Sequence, residues 1–234
     1  MQRRQFNQAG SSALALLIAA TYEHAYALSL GDLTNADASA GVKAALEKGA
    51  LVAIGLLGKQ DGFLGNDKVR IPLPGYLEDA GKLMRTFGQG KRVDELVTSM
   101  NRGAEQAVPM AKTLLVSTVK AMNVTDAKNI LTGGDTSVTQ FFTDKTRDPL
   151  NIQFLPIVTK ATENVQLADK YNSLAGRATS MGLLKKEDAN IQQYVTGKAL
   201  DGLYFVIGEE EKKIRQDPVG TVSQILSKVF GILK

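Results

Sequence analysis

The sequence predicts an all-α chain of about eight to ten helices, interrupted by one long extended loop. Three observations predict it. Apolar residues recur at helical spacing along most of the 234 residues. Cap and stop residues punctuate that pattern at short intervals. The one stretch that departs from it, 59–76, carries two prolines, which exclude a central strand.

The strongest helix runs from Thr196 to Pro218 (TGKALDGLYFVIGEEEKKIRQDP). Thr196 is its candidate N-cap, because a hydroxyl there accepts from a free amide of the first turn. Ala199, Leu200, Leu203, Tyr204, Val206, Ile207 and Ile214 supply the apolar positions. The LYFVI run covers more than one face, so that part should be enclosed on several sides. Beyond Gly208 the pattern turns charged, with Glu209 four before Lys213 and Glu211 four before Arg215, the favourable order for pairs across a turn. Asp217-Pro218 stops it.

Taken in order, Thr34 or Asp37 caps a first helix that ends at Gly58. The loop 59–76 follows and closes in an extended VRIPLP arm, because Ile71 and Leu73 each precede a proline. Helices resume at 76–87 and at 91–107, the latter with Val93, Leu96, Val97, Met100 and Ala104 on one stripe. Pro109 opens the helix 110–122, and Thr125 caps a short one at 126–131. Gly133-Gly134 breaks the chain, and Asp135 or Thr136 caps a helix carrying Val138, Phe141 and Phe142. A helical hairpin is expected from Leu150–Val165 and Leu167–Met181, with Pro156 bending the first arm or marking its start. Asn190 caps a turn at 191–195. Pro218 opens a last helix with Val222, Ile225, Leu226, Val229, Phe230 and Leu233 on one stripe. Short linkers give no internal boundary, so residues 28–234 read as one domain.

Residues 1–27 read as a cleavable export signal. Arg3-Arg4 form the charged start, Ala9 to Ala20 the apolar stretch, and Ala25-Tyr26-Ala27 a small-x-small cleavage site before Leu28. About twelve such residues are too few to span a bilayer, which takes about 20. The RRQF start resembles a twin-arginine signal, with Asn7 and Gln8 departing from the usual Leu-Lys, so the general secretory route is also open. The expected location is periplasmic or secreted. Removing Arg3, Arg4 and Glu23 from 28 basic and 24 acidic residues lowers the net charge from +4 to +3.

These totals exclude several functions. The chain has no Cys, and its single His, His24, lies within the signal. The mature form then lacks His-based triads, thiolate chemistry and His- or Cys-ligated zinc. Charge is small and interspersed, Trp is absent and aromatics are 6%, which argues against nucleic acid as a partner. No cofactor is implied, and no transmembrane helix is expected in the mature chain.

Four segments together carry a resemblance: DGFLGNDKVRIPLP (61–74), GQGKRVDELVTSMNRGAEQAVP (88–109), ILTGGDTSVTQFF (130–142) and ALDGLYFVIGEEEKKIR (199–215). They resemble the secreted bacterial family known as domain of unknown function 4197, across essentially the whole mature chain. The resemblance implies an exported α-helical protein with no assigned activity and no agreed functional residues.

Three constellations are candidate sites. TGGDTS (132–137) places glycines before a helix start, which suits an anion, but it has no Lys-Ser/Thr for a phosphate loop; a cap is the simpler reading. Asp61, Asn66 and Asp67 offer oxygens within one loop, but Phe63, Leu64 and Ile71 break the calcium-loop pattern, and Asx turns explain them. Asp94, Asn101, Arg102 and Glu105 line the helix 91–107, where Arg70 of the arm can join them. This last group is either a carboxylate–arginine binding pocket or a polar staple fixing the arm, and the staple is favoured. The function expected is a non-enzymatic binding or scaffold protein whose partner is a peptide, a lipid or an envelope protein. The alternatives are a carboxylate hydrolase acting on envelope material, which needs two facing acids, and membrane-surface association through the last helix.

Overall fold

The computed structural model describes residues 35–134, 136–182 and 190–216. The expected export signal, the caps at Thr34 and Asp135, the Asp217-Pro218 stop and the last helix lie outside the described residues. Every regular element among those described is helical, so the all-α class is observed. The elements are α1 (Asn35–Leu57), α2 (Gly75–Thr86), α3 (Gly90–Ala107), α4 (Ala111–Lys120), α5 (Val124–Thr132), α6 (Ser137–Thr162), α7 (Gln166–Ser180) and α8 (Ile191–Gln216). A single 3-10 turn, Val108–Met110, joins α3 to α4.

Helix α8 is the strut on which the others assemble. It packs against α6, α1 and α3, and less extensively against α7. All seven of its expected apolar positions are buried, from Ala199 to Ile214. Phe205 departs from the expected enclosure and is 42% exposed. The helix also begins earlier than its apolar pattern suggested. Asn190 caps it, its side-chain oxygen accepting from the Gln193 amide at 2.8 Å, so 191–195 is the first turn of α8 and not a separate element. Thr196 is therefore inside the helix, fully buried, and caps nothing. At the charged end Glu209 pairs with Lys212 and Glu210 with Lys213, each three residues apart; the Arg215 side chain expected opposite Glu211 lies outside the described residues. Glu211 is buried rather than solvated.

Two helices expected at 136–142 and 150–165 are one. Helix α6 runs unbroken through Pro149 and Pro156, although each proline removes an amide and strains the turn before it. The reason is visible in its buried residues: Val138, Phe142, Thr146, Leu150, Phe154, Val158 and Thr162 fall at every fourth position. That stripe gains enough from burial to override the local signal. Its two threonines satisfy themselves against the carbonyls four residues back, Thr146 to Phe142 at 2.6 Å and Thr162 to Val158 at 2.9 Å. The Thr146 hydroxyl proton is thereby used, so the buried Tyr204 hydroxyl donates to Thr146 Oγ1, 2.9 Å away. Burial pushes the Tyr204 phenol pKa up. Across the bundle, Gly103 of α3 lies so close to α6 that a Cβ there would sit 3.1 Å from Ala161 Cβ.

The cap of α5 also differs from expectation. Asn123, not Thr125, opens it through a reciprocal box in which Asn123 accepts from the Asp126 amide and Asp126 accepts from the Asn123 amide.

Residues 58–74, between α1 and α2, contain no helix. Turns carry the chain as far as Val69, and irregular backbone follows to Pro74. Phe63, Val69, Ile71 and Leu73 from this segment are all buried in the common core. The ring of Phe63 is seated on α8 at Gly202, where an added Cβ would lie 2.8 Å from Phe63 Cε1 and 3.4 Å from Val69 Cβ.

Two stability outcomes follow from this arrangement. Leu203→Ala or Ile207→Ala removes fully enclosed side chains and should cost ~2–5 kcal/mol, whereas Glu209→Ala should cost far less. Gly202→Ala should cost ~1–3 kcal/mol by crowding Phe63. Urea midpoints read these directly, and a Gly202→Ala protein as stable as wild type would show that Phe63 is not seated as described.

Candidate functional site

The polar group anticipated on the helix 91–107 divides into three places. At its centre, Asn101 and Glu105 lie four residues apart on one face of α3, and both are buried. They face the segment 61–71, and each binds its backbone. The Asn101 side-chain oxygen accepts from the Ile71 amide at 2.9 Å, and its NH2 group donates to the Ile71 carbonyl at 3.0 Å and to the Val97 carbonyl at 2.8 Å. One side chain thus acts as a neighbouring strand would, pairing both polar groups of a single residue. Glu105 Oε1 accepts from the amides of Phe63 and Leu64, each at 3.1 Å. Its Oε2 accepts from Arg102 at 2.6 Å.

Arg102 also reaches Asp61 at 2.8 Å, so a single guanidinium ties two carboxylates. Those bonds raise the Arg102 pKa, Glu105 contributing most and Asp61 next. Asp61 itself has a positive φ of 62°, a conformation that Asp tolerates better than most residues. The next residue has no space for a side chain, since a Cβ on Gly62 would lie 2.4 Å from the Leu57 carbonyl oxygen. Asn66 is spent locally: its side chain accepts from the Lys68 amide at 3.2 Å, an Asx turn.

Asp94 is held elsewhere. It accepts from Arg85 of α2 at 2.6 Å, and this bond is the main reason its carboxyl pKa is lowered. Arg70 contributes to that lowering only as the weakest cause. The expected pairing of Arg70 with a carboxylate of α3 is not formed: Arg70 is exposed, and no ion pair joins it to Asp94 or Glu105 among the described residues. The reason is competition, because Arg85 and Arg102 already occupy those acids. The chain is fixed one residue later, through the Ile71 backbone.

Helix α8 completes the seating of the segment. The Tyr194 hydroxyl donates to the Pro72 carbonyl at 3.2 Å, and Lys68 pairs with Glu209 at 3.3 Å. The Lys68 bond is the main cause of a lowered Glu209 pKa. Residues 58–74 therefore lie between α3 and α8, held at several points along their length.

Sequence reasoning missed a second feature, a groove of about 400 Å³ between α6 and α8. Thr136, Thr139 and Thr143 form one side, and Phe205 and Lys212 stand on the other. Arg147 of α6 bridges to Asp201 of α8 at 2.7 Å. No spacing within either helix signals such a pair, since its members are distant in sequence. Glu105 had a legible signal: with Val97 and Asn101 it makes an i, i+4 ridge. Among the described residues no group of acids is placed to hold a metal ion, and no helix is long and apolar enough to cross a membrane.

The backbone clamp makes a specific forecast. Asn101→Ala leaves the Ile71 amide and carbonyl without partners and should cost ~1–3 kcal/mol. Glu105→Ala should be at least as damaging, whereas Glu105→Gln, which keeps an acceptor for the two amides, should be milder. Arg70→Ala should leave the melting temperature close to wild type. A Glu105→Gln protein as unstable as Glu105→Ala would mean that the ion pair, not the backbone contact, holds the segment.

Comparison with curated proteins and with solved structures found no match. A family model described as "Protein of unknown function (DUF4197)" matches residues 32–231. That match covers most of the chain, including the clamp on α3, the segment it holds and the whole of α8, and the chain therefore belongs to the DUF4197 family.

Proposed function

We propose that this is an exported, non-enzymatic binding or scaffold protein of the cell envelope, with residues 1–27 as its cleavable signal and residues 28–234 as one helical domain. The observation that supports a non-catalytic role is the use made of Glu105. Both of its oxygens are committed, one to two backbone amides and the other to Arg102. A hydrolytic carboxylate must instead be available to substrate or to water. The charged cluster on α3 supports a staple reading, and the hydrolase alternative finds no support in it.

A partner is better served by the α6–α8 groove. Its volume of about 400 Å³ falls in the range of ligand sites. Phe205 offers an exposed ring, while Arg147, Asp201, Glu209 and Lys212 place both signs of charge at the margins. The groove follows α8 from Asp201 to Lys212, about 16 Å at 1.5 Å per residue. A peptide segment of an envelope protein suits that shape, with one apolar side chain against Phe205 and its backbone groups beside the threonines. Lipid and free glycan are the competing ligands.

Three experiments test this. Intact mass of the exported protein should begin at Leu28, and a mature species that keeps Met1 would overturn the location. Thermal-shift screening against peptides, lipid micelles and glycan fragments should give stabilisation by peptides, since a ligand of the native state raises its stability. Phe205→Ala should abolish that shift while the unliganded melting temperature stays near wild type. Release of soluble glycan by the wild-type protein and its loss in Glu105→Gln would replace this reading with the hydrolase.

A further inference from the structure

The α6–α8 groove has a charge pattern that its lining residues alone do not reveal. On the α6 bank, Thr136, Thr139, Thr143 and Arg147 follow one face, and only Arg147 is charged. On the α8 bank, Asp201, Phe205 and Glu209 succeed one another at intervals of four. Each of these two acids is shared by two cations. Asp201 takes Arg147 at 2.7 Å and Lys198 at 4.0 Å. Glu209 takes Lys68 at 3.3 Å and Lys212 at 3.6 Å. Among the described residues, each cluster therefore holds one more positive charge than negative. Of the neighbouring acids, Glu210 is paired with Lys213. Asp148 does not line the groove, and it acts on the Tyr204 phenol in the groove wall less than Arg147 does.

We propose that the ligand of this groove is an acidic peptide segment in extended conformation, with an apolar side chain on Phe205 and a carboxylate two residues to either side. This rests on the groove being a peptide site. Spacing is the first argument. Asp201 and Glu209 are eight residues apart, about 12 Å along α8 at about 1.5 Å per residue, with Phe205 midway. In an extended chain alternate side chains share a face, and residues i and i+4 stand about 13 Å apart at about 3.3 Å per residue. An acid–x–apolar–x–acid segment thus matches the two clusters and the ring between them, and gives each cluster its second anion.

The free capacity of the cations is the second argument. A guanidinium offers a fork of N–H donors, and the bond to Asp201 uses one nitrogen of Arg147. Lys212 borders the groove and stands farther from Glu209 than Lys68 does. Both groups are partly exposed, at 38% and 44%, so a ligand carboxylate can reach them. A neutral segment keeps the contact with Phe205 and gains nothing at the ends. A basic segment meets surplus positive charge at both.

Fluorescently labelled Glu-Thr-Leu-Thr-Glu, Gln-Thr-Leu-Thr-Gln and Lys-Thr-Leu-Thr-Lys peptides with blocked termini test this on the full-length chain by anisotropy. The acidic peptide should bind best and the basic one worst, and added salt should narrow the difference. Lys212→Gln should weaken the acidic peptide about two- to fivefold, the worth of one exposed ion pair, and leave the neutral one unchanged. Glu209→Gln removes a competing carboxylate and should tighten the acidic peptide by a similar factor. Lys213→Gln, away from the groove, should change neither. All three variants should melt close to wild type. If the Glu209–Lys212 pair were only structural, breaking it from either side would act alike, so opposite signs are the decisive readout; effects of the same sign would overturn the proposal. Equal binding of the three peptides, lost in Phe205→Ala, would overturn the acidic ligand and keep the peptide groove. No binding of the acidic peptide would also overturn it, while stabilisation by other peptides through Phe205 would stand as a separate result. Flotation with anionic phospholipid vesicles, abolished by Lys212→Gln and unaccompanied by peptide binding, would overturn it by assigning the surplus cations to a membrane surface.

Discussion

Two side chains on α3 do for residues 58–74 what secondary structure does elsewhere. That segment has no helix or strand of its own, yet it inserts Phe63, Val69, Ile71 and Leu73 into the core. Burying its backbone without partners would be costly at every amide and carbonyl. Turn bonds satisfy part of it, such as Asn66 accepting from Val69 and Arg70. Asn101 and Glu105 satisfy three further amides and a carbonyl. Once the backbone is held, Phe63 can fill the space that Gly202 leaves on α8.

The same economy bears on function. Side chains that look reactive in a list of charged residues are committed to architecture here: Glu105 to two amides, Asn101 to Ile71, Arg102 to two carboxylates, and Asp94 to Arg85. A buried polar network that is fully satisfied favours one arrangement of its elements, because every alternative leaves a member unpaired. The α6–α8 groove lies elsewhere, its Arg147 and Asp201 likewise paired with each other and its Phe205 exposed.

The buried contact between Tyr204 and Thr146 shows how the central helix pair is specified. Thr146 belongs to a stripe of α6 that is otherwise mostly apolar, and its hydroxyl is satisfied twice, giving a proton to Phe142 and receiving one from Tyr204. An apolar residue at 146 would leave the Tyr204 hydroxyl without this acceptor. The contact thus fixes the register of α8 against α6 more tightly than packing of methyl groups alone.

What the sequence determined by itself was everything carried by local periodicity: the all-α class, most helix positions, the buried face of α8 and the non-helical character of 59–76 except for its last two residues, which begin α2. Its family was also legible, because the quoted segments are specific. Tertiary structure decided what local signals cannot weigh. Pro149 and Pro156 read as breaks, but a buried stripe at every fourth residue of α6 outweighs two lost amides. Thr196 reads as a cap, yet the turn before it gains enough burial through Ile191 and Val195 to extend the helix back to Asn190. Arg70 reads as the partner of the α3 acids, and nearer guanidiniums took them. In the first two cases the deciding energy is burial against groups distant in the chain, of which a one-dimensional pattern holds no record; in the third the partners that won are close in sequence, Arg85 to Asp94 and Arg102 to Glu105, and only the fold shows that Arg70 does not displace them.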